Sequence, residues 1–171
     1  MRAGGTSIAG QAIGSGVLID VSKYLNNILS FSKINKEVVV EPGVIQDDLN
    51  DYLRSYNLKF APDTSTSNRA MIGGMIGNNS CGVYSAYYGT TRDHVKSVEI
   101  LLSDGSLVTF GEVNTSELKE KLILNTLEGD IYRYIFNTLS QNQSEILDAF
   151  PDKSLIRRNT GYAIDELIRK Y

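Results

Sequence analysis

The chain has 171 residues, a formal net charge of -3 and a sequence pI of about 5.2. This length suits one domain built from two small lobes, and the acidic balance argues against a nucleic-acid partner, whose binding surface would be basic. The single cysteine excludes an internal disulfide, and the single histidine, His94, leaves too few imidazoles for a zinc site. With no bilayer-length apolar run and no signal peptide, we expect a cytoplasmic protein without a metal.

The first half of the chain begins with a glycine-rich segment, residues 2–16, which predicts a shaped loop because glycine disfavours helix. Short apolar strands are predicted at residues 17–21 and 37–41, and Pro42-Gly43 ends the second strand. Apolar and tyrosine residues then recur at helical spacing over residues 45–56, opposite a run of aspartates. This pattern predicts an amphipathic helix with a tyrosine-rich buried face.

A second glycine-rich stretch, residues 62–91, is predicted to be irregular, and irregular stretches of this length are usually functional. Strands predicted at 95–102 and 107–110 flank Ser-Asp-Gly-Ser, a hairpin signal, so we expect them to pair antiparallel and the helix at 45–56 to pack on their sheet. Helices are predicted from residue 116 onward, one of them capped by Asp130. The pattern indicates an α+β fold, and both the Rossmann and the P-loop glycine motifs are absent.

The glycine-rich segments have the composition of a diphosphate site. Backbone N–H groups can reach a phosphate only where no side chain blocks the approach, and residues 3–7 (Ala-Gly-Gly-Thr-Ser) combine two glycines with two hydroxyls. Gly73, Gly74 and Gly77 would supply a second wall. The spacing alone leaves two alternatives open, a phosphate site and a set of tight turns.

Several sequence segments, in the same order as in the family, resemble the FAD-binding domain shared by vanillyl-alcohol oxidase and p-cresol methylhydroxylase. Residues 2–11 (Arg-Ala-Gly-Gly-Thr-Ser-Ile-Ala-Gly-Gln) resemble its pyrophosphate loop, and residues 62–82 resemble its second flavin-contacting loop. Residues 88–95 and 101–105 continue the match. Residues 158–162 (Arg-Asn-Thr-Gly-Tyr) are similar to a segment of the D-lactate and D-2-hydroxyglutarate dehydrogenase branch.

The resemblance implies the p-cresol methylhydroxylase type of FAD-binding domain, with a mostly antiparallel sheet and flanking helices. Residues 1–115 would form the FAD-binding region without the family's first lobe, and residues 116–171 a helical extension of the same domain. A further flavin-contacting segment of the family would follow residue 171. We therefore expect the domain to be truncated at both ends.

The resemblance also implies which residues hold FAD. Those expected around the diphosphate are Ala3, Gly4, Gly5, Thr6, Ser7, Gly10 and Gln11. Those expected around the flavin and ribityl chain are Pro62, Asp63, Thr66, Ser67, Ile72, Gly73, Gly74, Asn78, Asn79 and Gly82. Those expected near the adenosine are Arg92, Asp93 and Val95. Ile72, Met75 and Ile76 have an alternative as core residues, and no catalytic residue is identified.

Several other reactive or aromatic side chains are given structural interpretations. We expect His94 to be structural rather than a general base. Cys81 lies inside a flavin loop, but the dehydrogenase branch favours non-covalent FAD over attachment to this thiol. For the tyrosine cluster, packing is favoured over a flavin clamp; its members are Tyr84, Tyr87 and Tyr88.

The resemblance implies an FAD-dependent dehydrogenase that oxidises a small 2-hydroxy acid such as D-lactate or glycolate. Its substrate would bind through a domain outside these residues, and a quinone or iron–sulfur partner would accept the electrons. Two alternatives remain: a relative of UDP-N-acetylenolpyruvoylglucosamine reductase, which takes hydride from NADPH, and a non-catalytic domain that has lost its cofactor. The chain alone is expected to be inactive, to bind FAD poorly and to self-associate.

Overall fold

The structure is a computed structural model that describes residues 1–152, 154, 155, 162 and 164–170. It divides into two compact units, Met1–His94 and Val95–Tyr171. The functional boundary expected at 115/116 stays a prediction. Apart from Tyr162, the dehydrogenase-like string at 158–162 lies outside the described residues, as does Tyr171.

The first unit contains two strands and short helical segments. In chain order they are β1 (Ile28–Ser32), β2 (Glu37–Val40), α1 (Gln46–Arg54), α2 (Ile72–Asn78), α3 (Ser85–Tyr88) and a 3-10 turn (Thr91–His94). The second unit contains a hairpin and then helices. These are β3 (Ser97–Leu101), β4 (Leu107–Gly111), α4 (Thr115–Leu122), α5 (Leu127–Gln141), α6 (Gln143–Ala149) and α7 (Ile164–Lys170).

Each unit has a two-stranded antiparallel sheet. The predicted pairing of β3 with β4 is confirmed, with Ile100 opposite Val108. In the first unit, β2 pairs with β1, which sequence reasoning missed, and Phe31 lies opposite Val38. The strand predicted at residues 17–21 is wrong: apart from an isolated bridge between Asp20 and Arg2, these residues form no ladder.

The core of the first unit lies between α1, α2 and the β1–β2 hairpin. Its buried members are Val44, Leu49, Leu53, Ala70, Ile72 and Met75, and β1 and β2 contribute Ile28, Phe31, Val38 and Val40 around them. Helix α1 therefore packs on β1–β2, and the expectation that it packs on the β3–β4 sheet of the second unit stays a prediction. The connection from β2 to α1 is short, and consecutive elements joined by short connections usually lie side by side. The tyrosine-rich face is only partly buried, since Tyr52 is 39% exposed.

Residues 62–91 are more ordered than predicted, because they contain α2 and α3. Helix α2 carries glycines that disfavour helix, but it buries Ile72 and Met75 against the core, and tertiary packing overrides weak propensity. The helix ends at Asn79, which takes the left-handed conformation with φ of 46°.

Two helices of the second unit, α4 and α5, have side-chain caps. Asn114 and Glu117 form a capping box at α4. The cap of α5 is Thr126, whose hydroxyl accepts from the Gly129 N–H at 3.3 Å. The predicted cap, Asp130, instead lies in the first turn and pairs with Arg133. In the described part of the chain, no helix is long and apolar enough to cross a membrane.

Candidate functional site: the glycine loops

The first glycine-rich segment is closed at its base by paired backbone. The Arg2 N–H donates to the Ile19 carbonyl at 2.8 Å, and the Val21 N–H donates to the Arg2 carbonyl at 3.0 Å. The Arg2 guanidinium pairs with the Asp20 carboxylate at 2.6 Å. The closure ends at buried Val21, which is 3% exposed. The segment is therefore one closed loop, fixed to the body of the unit at its base.

Inside this loop, two glycines take conformations that other residues rarely adopt. Gly5 has φ of 62° and Gly10 has φ of 78°. The Ser7 hydroxyl donates to the side-chain oxygen of Gln11, and the Ile13 N–H donates to the Gly10 carbonyl at 3.1 Å. The predicted residues at the two ends of this turn are thus brought together.

The two predicted glycine loops meet. A Cβ added at Gly4 would lie 2.3 Å from the carbonyl oxygen of Arg69, and one added at Gly74 would lie 3.0 Å from the Cβ of Ala3. The first distance is far inside van der Waals contact, so Gly4 can carry no side chain without movement of the second loop. Gly4 and Gly74 therefore allow the two loops to approach each other closely.

The second loop is anchored on the first turn of α1 by Gln46, which sequence reasoning missed. Its side chain is 1% exposed; its amide nitrogen donates to the Pro62 carbonyl, and its amide oxygen accepts from the Thr64 hydroxyl at 3.1 Å. The Gln46 backbone N–H also donates to the Ala70 carbonyl at 2.9 Å. The sequence did contain a signal for this role, because Gln46 is a polar residue at the start of a helical pattern of apolar residues.

The backbone N–H groups at the start of α2 are already used within the protein. Ile72 donates to the Val44 carbonyl at 2.9 Å, and Gly73 donates to the Pro42 carbonyl at 2.8 Å. These two positions can form a wall of the site, but their N–H groups do not point to a phosphate. Of the residues at the start of α2, Gly74 is the one that contacts the first loop, where it faces Ala3.

The two ends of the second loop, residues 62–82, meet where Asp63 contacts Gly82 and Tyr84. Its carboxylate accepts from the Tyr84 N–H at 3.1 Å, and its carbonyl oxygen would lie 1.5 Å from a Cβ added at Gly82. The Gly82 N–H donates to the hydroxyl of Ser85 at 3.0 Å. Asp63 and Gly82, both predicted to line the flavin, therefore lie against each other.

The residues predicted near the adenosine are only partly brought together. The Asn79 side chain accepts from the Arg92 N–H at 3.0 Å, which joins two predicted positions. The Asp93 carboxylate accepts from the N–H and the hydroxyl of Thr90 at 2.7 and 2.9 Å, so it stabilises its own turn. Val95 belongs to the second unit.

The side chains given structural interpretations differ in outcome. His94 Nε2 lies 2.8 Å from the Tyr88 carbonyl oxygen, and its ring meets Phe60 edge-on, as expected of a structural histidine. Among the tyrosines, Tyr87 and Tyr88 meet edge-on with ring centroids 4.7 Å apart, whereas Tyr84 is 55% exposed; the preference for packing over a flavin clamp stays a prediction. Within the described residues, no cluster of three or more His, Cys, Asp or Glu side chains could hold a metal.

The surroundings of Asp20, at the base of the first loop, favour the ionised form of its carboxyl group. The Asp20 carboxylate accepts from Ser22, and these hydrogen bonds, together with the Arg2 guanidinium, hold the pKa of Asp20 below its ordinary value. Asp20 is therefore ionised at neutral pH and keeps Arg2 paired at the entrance to the loop.

The geometry fits a diphosphate-bearing cofactor. Gly4 and Gly74 keep side chains out of the space where the two loops meet, and Gly5 takes a left-handed conformation that can turn successive N–H groups toward an anion. Thr6 and Ser7 place hydroxyls in the same turn. A side chain at Gly4 or Gly74 would fill the cradle or displace one loop from the other.

Comparison with known proteins agrees with this geometry. The family model described as "FAD binding domain" matches residues 1–111. D-2-hydroxyglutarate dehydrogenase of Escherichia coli is 41% identical over 162 residues, 94% of this chain and 16% of that protein. The same enzyme of Pantoea ananatis is 37% identical over 161 residues, which again cover 94% of this chain and 16% of that protein. The mitochondrial D-lactate dehydrogenase [cytochrome] 1 of Saccharomyces cerevisiae is 37% identical over 109 residues, which cover 61% of this chain and 18% of that protein.

Among solved structures, alkyldihydroxyacetonephosphate synthase matches with a TM-score of 0.55 and 18% identity, over 68% of this chain and 23% of that one. This likeness supports the fold alone. The chain spans 16% of the length of the D-2-hydroxyglutarate dehydrogenases that it matches. It belongs to the FAD-binding domain family, and FAD is its cofactor.

Proposed function

We propose that this chain is the FAD-binding part of a flavin-dependent dehydrogenase that oxidises a small 2-hydroxy acid. The observation that carries the proposal is the meeting of the two glycine loops, in which Gly4 lies against Arg69 and Gly74 against Ala3. The similarity to D-2-hydroxyglutarate and D-lactate dehydrogenases supports the substrate class and favours it over the UDP-N-acetylenolpyruvoylglucosamine reductase alternative.

When bound, FAD would supply the two-electron redox chemistry, and the protein would bind it, orient it and exclude water. The first loop would hold the diphosphate through the turn at Gly4 and Gly5 and the hydroxyls of Thr6 and Ser7. The second loop would line the ribityl chain and flavin, with Gly74 at the junction. FAD is proposed to be held non-covalently, and the remaining positions predicted from the resemblance keep their proposed roles.

The wider properties of the protein are also proposals. The 2-hydroxy acid would bind outside the residues of this chain, and a quinone or iron–sulfur partner would accept the electrons. A cytoplasmic location remains the prediction of the sequence. The resemblance and the relatives support oxidation of the carbon that bears the hydroxyl, with D-2-hydroxyglutarate, D-lactate and glycolate as the substrates to test.

The cradle is tested by Gly4→Val in the longest natural form of the protein. A branched side chain at this position would meet the Arg69 carbonyl, so we expect the purified variant to lose its flavin. The matched control is Gly16→Val in the same loop, because no atom lies within 4 Å of a Cβ there. Flavin per polypeptide, measured from absorbance after denaturation, should fall in the first variant and stay unchanged in the second. Equal flavin content in both variants would overturn the proposal that the first loop holds the diphosphate of FAD.

The substrate class is tested on the wild-type protein under anaerobic conditions. Each hydroxy acid is added separately, and the visible absorption of the flavin is followed. We expect bleaching by at least one D-2-hydroxy acid and slower bleaching by NADPH. Bleaching by NADPH alone would support the reductase alternative, and a protein without flavin would support the non-catalytic one.

A further inference from the structure

The Arg2 guanidinium lies beside Gly5 of the first glycine loop. Its Nη1 donates to Asp20 at 2.6 Å, while its Nε and Nη2 each lie 3.2 Å from the position that a Cβ would take on Gly5. The side chains of Arg2 and Asp20 are 43% and 41% exposed. Arg2 therefore occupies the side of Gly5 where a side chain would otherwise stand.

The acceptor of this ion pair is itself held in place. Asp20 uses its second carboxylate oxygen to accept from the Ser22 N–H at 2.8 Å. On both sides of the pair the backbone is bonded, through the contacts of Arg2 with Ile19 and Val21. The ion pair thus joins the first and last residues of the loop at a point fixed by the buried Val21.

Away from the approach of Ala3 and Gly4 to the second loop and from the Ser7–Gln11 hydrogen bond, the body of the loop has little other support. Ile8, Ile13 and Val17 are 103%, 82% and 90% exposed, so their side chains do not tie the loop to the core. A loop without packed side chains keeps its shape through the contacts that close it, because closure removes much of its conformational entropy.

We propose that Arg2 and Asp20 form an ionic latch that positions the Gly4–Gly5 turn for the diphosphate of FAD. The inference rests on the proposed function, since it takes this turn as the diphosphate site. Both are positioning residues: Asp20 holds the guanidinium, and the guanidinium holds Gly5. A turn that is already ordered loses less entropy on binding, so the latch raises the affinity for FAD.

The test uses Arg2→Gln, Arg2→Lys and Asp20→Ala in the longest natural form of the protein. The first measurement is amide hydrogen exchange of the FAD-free protein in peptides covering residues 1–21, and the second is the dissociation constant of FAD from flavin fluorescence. Exposed ion pairs of this kind change an equilibrium by up to about fivefold. We expect about threefold to fivefold faster exchange and a similar loss of affinity in Arg2→Gln and Asp20→Ala.

The conservative variant separates an ionic latch from simple packing. Arg2→Lys keeps the charge that pairs with Asp20 but loses the second edge of the guanidinium over Gly5. We expect its exchange rate and its FAD affinity to lie between those of the wild type and Arg2→Gln. A lysine variant that is no better than the glutamine variant would overturn the ionic part of the proposal.

The matched control is Asp51→Asn, which removes the same type of ion pair from α1 in the same unit, where Asp51 pairs with Arg54. This control should leave both measurements unchanged. Unchanged exchange in the latch variants, or faster exchange with unaltered FAD affinity, would overturn the latch. A wild-type protein that binds no FAD would overturn the proposed function instead, and the exchange measurement would then decide on the latch by itself.

Discussion

At the scale of single residues, the glycines of this chain divide into those that lie against other backbone and those that face open space. Gly4 and Gly82 belong to the first group, and Gly16 and Gly77 to the second. Their spacing in the sequence does not separate the two groups. The difference decides which of them tolerates a side chain.

Gly82 gives a direct stability prediction. A Cβ at this position would lie 1.5 Å from the carbonyl oxygen of Asp63, so the two segments would have to separate. We expect Gly82→Ala to lower the free energy of unfolding by about 2–4 kcal/mol, measured by urea denaturation. In the control Gly77→Ala the added methyl meets no atom within 4 Å and lies in α2, where alanine is the better helix former by about 1 kcal/mol. Equal stability of the two variants would contradict this assignment.

At the scale of elements, one buried face of α1 has two roles, because Gln46, Leu49 and Leu53 are spaced three and four residues apart and all three are buried. Leu49 and Leu53 enter the core, as their spacing predicts. Gln46, in the first turn, binds the second glycine loop instead. The helix therefore connects the hydrophobic core to the loop that is proposed to line the flavin.

Gln46 is expected to be essential for that connection. Gln46→Leu introduces an apolar side chain of similar size and leaves the Pro62 carbonyl and the Thr64 hydroxyl without their partner. Unpaired buried polar groups cost about 1–3 kcal/mol each, so we expect a loss of this order in the free energy of unfolding. Amide exchange should accelerate in residues 62–70 before it does in β1 and β2. An unchanged midpoint of urea unfolding would show that Gln46 does not anchor the loop; Asp51→Asn is again the control.

The elements that were predicted well are those whose local signal and tertiary environment agree. The β3–β4 hairpin has a Ser-Asp-Gly-Ser turn, in which Asp104 accepts from the N–H and hydroxyl of Ser106. Strand β1 was missed because serines alternate with its apolar residues, and its place in the fold depends on pairing with β2. Residues 17–21 have the composition of a strand, but apart from the bridge at Asp20 they find no partner.

At the scale of the whole molecule, the described residues expose many large apolar side chains. Ile8, Val17 and Ile34 are each at least 90% exposed, and Tyr87 is 84% exposed. Exposed apolar area of this extent usually marks an interface or drives association. Ile8 and Val17 lie in the segment closed by Arg2 and Asp20, and Tyr87 lies in the second glycine-rich stretch, so these side chains belong to the loops that are proposed to enclose FAD.

We therefore expect the 171-residue chain alone to form dimers or larger assemblies and to bind FAD poorly. Light scattering coupled to gel filtration measures the first property, and calorimetry with FAD measures the second. Replacing Ile8 and Val17 together by serine should shift the chain toward the monomer. A monomeric wild-type chain that binds FAD tightly would contradict both expectations.

The sequence by itself determined the α+β class, the β3–β4 hairpin, the amphipathic pattern of α1 and the glycine-rich character of the cofactor loops. These features depend on turn chemistry, residue periodicity and backbone freedom, which act over a few neighbouring residues. Only the tertiary structure decided that α1 packs on β1–β2, that Gly4 lies against Arg69 and that Arg2 pairs with Asp20. Such contacts join residues far apart in the chain, and their partners are fixed by packing of the whole unit rather than by any local pattern.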